Sequence, residues 1–194
     1  LNNAKDELIK IEKEQNRLIF IDLHKEQNNI IIKIKDSAGG IKKEIIDSFI
    51  PKAVLVPLTE DAKLSIANTS HHKKLIPIGT FPFKIGRESR MEEGDRGLFV
   101  KLRIMANSSR PNNDIYLIDN KNNIEISKEH FEISNDKDEY LIKDRNSTLG
   151  TKLNDIEIGK EQNKYTHILK DGDIIKIGSN HSKYEFQFLV LSNN

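Results

Sequence analysis

ISKEHFEISNDKDEYLIKDRNSTLGTKLND, residues 126–155, holds two short β-type runs, Phe131 to Ile133 and Tyr140 to Ile142. The turn signal Asn135-Asp136 divides them. A second turn signal, Asn154-Asp155, closes the stretch as a hairpin turn, where Asn tolerates a left-handed backbone. The same grammar continues on both sides. Val54-Leu55-Val56, Lys74 to Ile78, Phe81 to Ile85, Phe99 to Ile104 and Ile115 to Ile118 precede it. Ile168-Leu169, Ile174 to Ile177 and Tyr184 to Leu191 follow it. Asn112-Asn113-Asp114, Asn120 to Asn123 and Asp171-Gly172-Asp173 punctuate these runs. Short strands, frequent turns and no long helix predict a mainly β chain, a β-sandwich from about residue 52 to 192.

The first fifty residues read differently. Ala4, Leu8 and Ile11 recur at helical spacing. Arg17 to Lys25 and Asn29 to Lys35 form a predicted hairpin, with Ile19, Ile21 and Leu23 on one face. Asp36-Ser37-Ala38-Gly39-Gly40 is a flexible turn, and a short helix from Ile41 to about Phe49 stops at Pro51. A small α/β segment (helix, hairpin, loop, helix) over residues 1–50 therefore precedes the sandwich. A boundary there implies that a chain from about Pro51 to Asn194 folds alone.

Composition excludes several function classes. Hydrophobic residues make up 36% and charged residues 31%, with a formal net charge of only +1. Bulk electrostatic capture of nucleic acid is not expected from that balance. The chain has no cysteine, which removes disulfides, thiolate catalysis and thiolate metal sites. The longest apolar runs are far too short to span a membrane, and the expected location is cytoplasmic. No P-loop, Gly-x-Ser-x-Gly or His-Glu-x-x-His motif is present. His71-His72 are adjacent and lack the spacing of two ligands on one helix face, and no metal site or catalytic constellation is expected. Asp171-Gly172-Asp173 lacks the other oxygen ligands of a calcium loop and reads as a turn.

Within the sandwich, short motifs stand in one order: Gly86-Arg87, Ser127-Lys128-Glu129-His130, Ser147-Thr148-Leu149-Gly150-Thr151 and Asn154-Asp155. Leu169-Lys170-Asp171-Gly172-Asp173 and Ile177-Gly178 follow. The ordered set resembles the forkhead-associated (FHA) domain, a β-sandwich that binds phosphothreonine peptides through loops at one end. The resemblance covers about residues 52–192. It implies that the positions of Arg87, Ser127, Lys128 and Thr148 face the phosphopeptide. It also implies that Gly86, His130, Leu149 and Asn154 shape the site.

The residue types suit those roles. Arg87 at a strand end can offer a planar fork of donors to phosphate oxygens, and Gly86 removes a Cβ that would crowd the turn. Ser127 and Thr148 are short hydroxyl donors on different loops, and Lys128 adds a mobile positive charge. His130 fits a buried partner that fixes loop geometry better than a catalytic group. On residue type alone, Arg87 also fits a surface ion pair, and Ser127 and Thr148 fit ordinary turns. The chain departs from the family pattern at Leu149, where Asn usually holds the backbone of the bound peptide. It departs again between Arg87 and Asn113, which 25 residues separate where a handful suffices. Leu98 to Met105 in that insertion is expected to form an extra strand or hairpin near the binding end.

Residues 1–50 are similar to part of a histidine-kinase ATPase domain. By position Asn3 matches its magnesium residue, Asp36 its adenine residue and Gly40 its loop glycine. Ala38 replaces another glycine, and no later lid or phosphoacceptor helix follows. ATP with magnesium is implied only if this segment belongs to a complete kinase. The same residues also read as a short α/β cap. The function expected is a phosphothreonine-dependent protein-interaction module in signal transduction, without catalysis or a cofactor, whose partner is a phosphothreonine-containing protein. The alternative is a truncated sensor histidine kinase fragment that retains a nucleotide half-site.

Overall fold

A computed structural model of the chain describes residues 19–27, 29–36, 50–66, 75–88, 91–94, 97–100, 112–119, 124–137, 139–154, 156–159 and 165–191. The predicted helices over 4–11 and 41–49 lie outside these residues, as do Asn3, Gly40 and His71-His72. The predicted hairpin is present, with β1 at Ile19–Glu26 and β2 at Asn29–Asp36 paired antiparallel. Asp36 is the last residue of β2 and pairs with Ile19, so it belongs to a strand and not to the loop expected of an adenine-reading residue.

The sandwich begins with β3 (Ala53–Pro57), a single-turn-and-a-half helix α1 (Glu60–Ser65), β4 (Ile76–Ile78) and β5 (Phe83–Arg87). Sequence periodicity missed α1, because six residues are too few to show it. Its cap is chemical: the Thr59 side chain accepts from the Ala62 N–H at 3.2 Å, and Glu60 and Asp61 occupy the first turn. Then come β6 (Met91–Gly94) and β7 (Gly97–Val100), an antiparallel hairpin inside the insertion. Its second strand starts at Gly97, overlapping the predicted run. β8 (Ile115–Leu117), β9 (Phe131–Asp136), β10 (Glu139–Asp144), β11 (Thr151–Leu153), β12 (Ile156–Ile158), β13 (Thr166–Leu169), β14 (Ile174–Ile177) and β15 (Tyr184–Val190) complete the order.

Two sheets face each other. One runs β13-β10-β9-β5-β8 and the other β12-β11-β14-β15-β3-β4. Among the described strands only β5 and β8 pair in parallel, and they flank the insertion. The core between the sheets is built by alternation: Phe131 and Ile133 from β9, Ile142 from β10, Ile175 and Ile177 from β14, and Phe186 and Phe188 from β15 all point inward. Phe81, Tyr140 and Phe188 join through edge-to-face ring contacts.

β3 breaks the alternation, since all five of its residues are buried. The cause is a third layer. Ala53 and Leu55 enter the main core, while Val54 and Val56 face the other way. There they join Leu23 of β1 and Leu75 in a second apolar cluster, with Ile30, Ile32, Leu189 and Leu191 packed around it. The β1–β2 hairpin thus covers the outer face of the six-stranded sheet. This second cluster joins residues on both sides of the boundary expected near Pro51.

Candidate phosphopeptide-binding site

Strand β5 delivers Arg87, and Gly86 makes its position possible. A Cβ on Gly86 would lie 2.1 Å from the Lys128 carbonyl oxygen and 2.5 Å from Asn113 Nδ2. Only a bare backbone lets the 126–130 loop cross the strand end this closely. The crossing is stitched on both sides. Arg87 N–H donates to Ser127 O at 2.9 Å, and His130 N–H donates to Ile85 O at 2.9 Å. The half-buried Arg87 side chain then donates from Nε to Ile126 O at 2.8 Å. No described residue takes its two Nη groups.

His130 is fully buried and ties two loops together. Nδ1 accepts the Ser127 N–H at 2.8 Å, and Nε2 lies 3.0 Å from Gly150 O, which fixes the Nε2–H tautomer. Burial holds its pKa below the ordinary 6.5, outweighing the Gly150 carbonyl and the carboxylates of Asp144, Asp119 and Glu125. The ring therefore remains neutral near pH 7, with both nitrogens committed to structure.

The second loop is clamped by Asp144, a buried carboxylate at the end of β10. Its oxygens accept from Ser147 N–H at 2.8 Å, Ser147 Oγ at 2.7 Å and Thr151 Oγ1 at 2.7 Å. Three donors on one anion explain why Ser147 and Thr151 are buried although both are polar. The residue between them that matters, Thr148, is left exposed. Its N–H donates to Ser127 Oγ at 2.8 Å, and the two hydroxyl oxygens lie 3.3 Å apart. Ser127 and Thr148 are therefore neighbours although they are 21 positions apart in the sequence.

A third clamp holds the wall. Glu125, also buried, accepts from Ser179 N–H at 2.7 Å and Ser179 Oγ at 3.0 Å. Gly178, at φ +94, is the close approach that permits this, since a Cβ there would lie 2.6 Å from Glu125 Oε2. The motif Ile177-Gly178 thereby acquires a structural cause.

These loops enclose a cleft of about 580 Å³. Arg87, Ser127, Lys128 and Thr148 all line it. Lys128 projects its exposed side chain while its carbonyl accepts from Asn113 Nδ2 at 2.7 Å. Gly86 and His130 sit behind the cleft as its supports. Leu149 is exposed but does not line it. Asn154 is elsewhere: at φ 53 it turns β11 into β12, accepting from Ile174 N–H and donating to Asp173 Oδ1 at 3.0 Å. It belongs to the end of β11 away from Gly150, and its role is that of a turn.

Sequence reasoning missed Arg145, Asn146 and Glu129, which also line the cleft. Asn146 carried a signal, because an Asn two residues past a strand often takes a positive φ, here 60. Arg145 and Glu129 carried none, since charged residues in polar turns are ordinary.

Residues 83–178 match the family model described as the FHA domain. This part of the chain is an FHA domain. Solved structures similar to the chain include Mycobacterium tuberculosis EmbR in complex with a low-affinity phosphopeptide, at 19% identity and a TM-score of 0.43. That match covers 78% of this chain and 29% of the EmbR chain. The FHA domain of an Arabidopsis thaliana hypothetical protein is 21% identical, with a TM-score of 0.44, covering 74% of this chain and 89% of that one. The N-terminal FHA domain of S. cerevisiae Rad53p, in complex with a phosphothreonine peptide, is 15% identical with a TM-score of 0.45. It covers 72% of this chain and 93% of its own. A comparison with curated proteins finds no match. The FHA match leaves residues 1–50 outside it, and nothing compared supports their resemblance to a histidine-kinase ATPase domain.

Proposed function

We propose that the FHA domain is a phosphothreonine-dependent protein-interaction module in signal transduction. The observation that carries this reading is the convergence of Arg87, Ser127, Lys128 and Thr148 on one cleft. A phosphate dianion presents about −1.5 to −2 charge and three strong acceptors. The cleft offers a guanidinium whose Nη donors no described residue takes, a mobile ammonium and two adjacent hydroxyls, with Arg87, Ser127 and Thr148 held by backbone contacts before any ligand arrives. Preorganised donors lose little entropy on binding.

The arrangement favours binding over chemistry. His130, the histidine nearest the cleft, has both ring nitrogens engaged, so it is not placed as a general base for the Ser127 or Thr148 hydroxyl. Among the described residues no group of His, Asp or Glu is arranged to hold a metal. Nor is any helix among them long and apolar enough to cross a membrane. The partner is a protein bearing phosphothreonine.

The test is calorimetry with a phosphothreonine peptide and its unphosphorylated twin. The phosphorylated peptide should bind and the plain one should not. Equal binding of both would refute the reading.

A further inference from the structure

Arg145 stands beside the proposed phosphate position, in the lining of the same cleft. It leaves the end of β10 with its N–H bonded to His130 O at 2.8 Å, and its side chain lies against the 127–129 loop. Nη1 donates to Asn113 Oδ1 at 2.7 Å, Nη2 meets Glu129 Oε2 at 2.9 Å, and Nε is 4.0 Å from Glu132 Oε2. Asn113 is itself fixed, because its Nδ2 donates to Lys128 O. The guanidinium is thus held in place at the wall of the same cleft that Arg87 enters.

The pair it makes is unequal. The Arg145 side chain is only 11% exposed, whereas Glu129 is 41% exposed. A mostly buried, oriented cation faces a more exposed anion in the lining of a cleft. The cation cannot leave without stranding its charge, whereas the anion, whose other oxygen accepts the N–H of exposed Asn112 at 2.8 Å, can leave because water is ready to solvate both groups. Exchange of Glu129 for another acid keeps the charge at Arg145 balanced and needs no movement of the arginine. An arginine fork also favours planar carboxylate or phosphoryl oxygens over any neutral acceptor.

We propose that Arg145 is a second anion position of the cleft, filled in the free protein by the chain's own Glu129. Resting on the phosphothreonine reading above, it selects ligands that carry a further acidic group beside the phosphothreonine. That group is a carboxylate side chain or a second phosphoryl, which share the chemistry the fork recognises. Glu129 acts as an internal competitor. It keeps the position neutral when the ligand lacks an acid and yields to one that brings it.

The experiment uses the full chain and phosphothreonine peptides with alanine flanks, into which one Glu is moved through each flanking position in turn. The quantity read is the affinity ratio between each Glu peptide and the all-alanine peptide. One position should show a gain of roughly threefold to tenfold, the scale of a partly exposed charge pair. Glu129→Gln should raise that ratio by removing the competitor. Arg145→Gln should bring it to unity, and Arg145→Lys, which keeps the charge without the fork, should leave it in between. The graded response of Arg145→Lys and Glu129→Gln keeps the test alive if Arg145→Gln does not fold. At the favoured position, phosphoserine binding above Glu identifies the second phosphoryl as the preferred acid, and Glu binding at least as tightly identifies the carboxylate. A flat scan with the alanine peptide still bound would overturn the second position and leave the phosphothreonine site standing. A ratio unmoved by Arg145→Lys and Glu129→Gln would overturn it too. Failure of every phosphorylated peptide to bind would refute both.

Discussion

Leu23→Ala tests whether the first hairpin is part of the folding unit. Leu23 is 1% exposed and sits between Val54, Val56 and Leu75, on the face of the six-stranded sheet away from the main core. Removing its three terminal carbons costs the transfer term plus the cavity they leave, about 2–5 kcal/mol for a Leu→Ala change in a packed site. The cluster is small and one of its walls is a two-stranded ribbon that can settle inward, so a value near the lower middle, about 3 kcal/mol, is expected. For a chain of this length about 1 kcal/mol shifts Tm by roughly 2–4 °C, which predicts a fall of roughly 6–12 °C. Phe20→Ala is the control. Phe20 is on the same strand and 59% exposed, and its loss should move Tm by no more than about 2 °C, as for an ordinary surface change of about 0.5 kcal/mol. Calorimetry on the full chain reads both, and the main transition should move as one. If Leu23→Ala leaves that transition in place, the hairpin is not docked in solution and the third layer is wrong. The same reasoning predicts that a chain begun at Pro51 exposes Val54 and Val56 and melts lower than the whole protein.

Three further outcomes are expected. Arg87→Ala should weaken a phosphothreonine peptide at least about tenfold in calorimetry, since one charged hydrogen bond is worth roughly 1.5–3 kcal/mol, with Ser127→Ala and Thr148→Val costing less. Gly86→Ala should destabilise by roughly 1–3 kcal/mol or more and abolish peptide binding, because its Cβ would drive into the Lys128 carbonyl at 2.1 Å; a variant with unchanged melting and binding would refute the crossing. His130 has a folded pKa held below 6.5 by burial, so the unfolded chain takes the proton first on acidification. Its contribution to stability is therefore present above about pH 6.5 and lost as pH falls toward the folded value, which denaturant midpoints from pH 7.5 downward should show and a His130→Gln variant should not.

How much of this was legible in the sequence follows from which interactions are local. Strands such as Phe131–Asp136 and Tyr184–Val190 alternate apolar and polar side chains, and that pattern is written residue by residue. The hairpin at Asn154 was legible for the same reason. Gly86, Arg87, Ser127 and Thr148 were legible only as an ordered set, since each alone is an ordinary turn residue. The third layer was not. Its one trace was the unbroken apolar run of β3, which says that both faces are buried without saying by what. Arg145 was invisible because its meaning depends on Asn113 and Glu129, brought to it by the fold from 32 and 16 residues away. Gly178 takes its meaning from Glu125, which only the fold sets against it.

The site separates two tasks that a short peptide ligand presents together. Residues proposed to meet phosphate are held by groups that cannot move independently: Ser127 by His130 and Thr148, Thr148 by the Asp144 clamp, Arg87 by Ile126 O. Altering any of these should damage the whole framework. Leu149 is different, because its exposed side chain lies outside the cleft lining and no described hydrogen bond of the framework uses it. The departure from the family's Asn there can therefore change how a peptide backbone is anchored while the phosphate position stays intact. Restoring the amide in Leu149→Asn should tighten a phosphothreonine peptide by about 1 kcal/mol, the net scale of one recovered hydrogen bond, which is roughly fivefold in Kd by calorimetry. The gain should appear with the phosphorylated peptide and require Arg87. Weaker binding, or a gain shared by the unphosphorylated peptide, would mean that Leu149 belongs to the recognition surface itself and that flank and phosphate are not read separately.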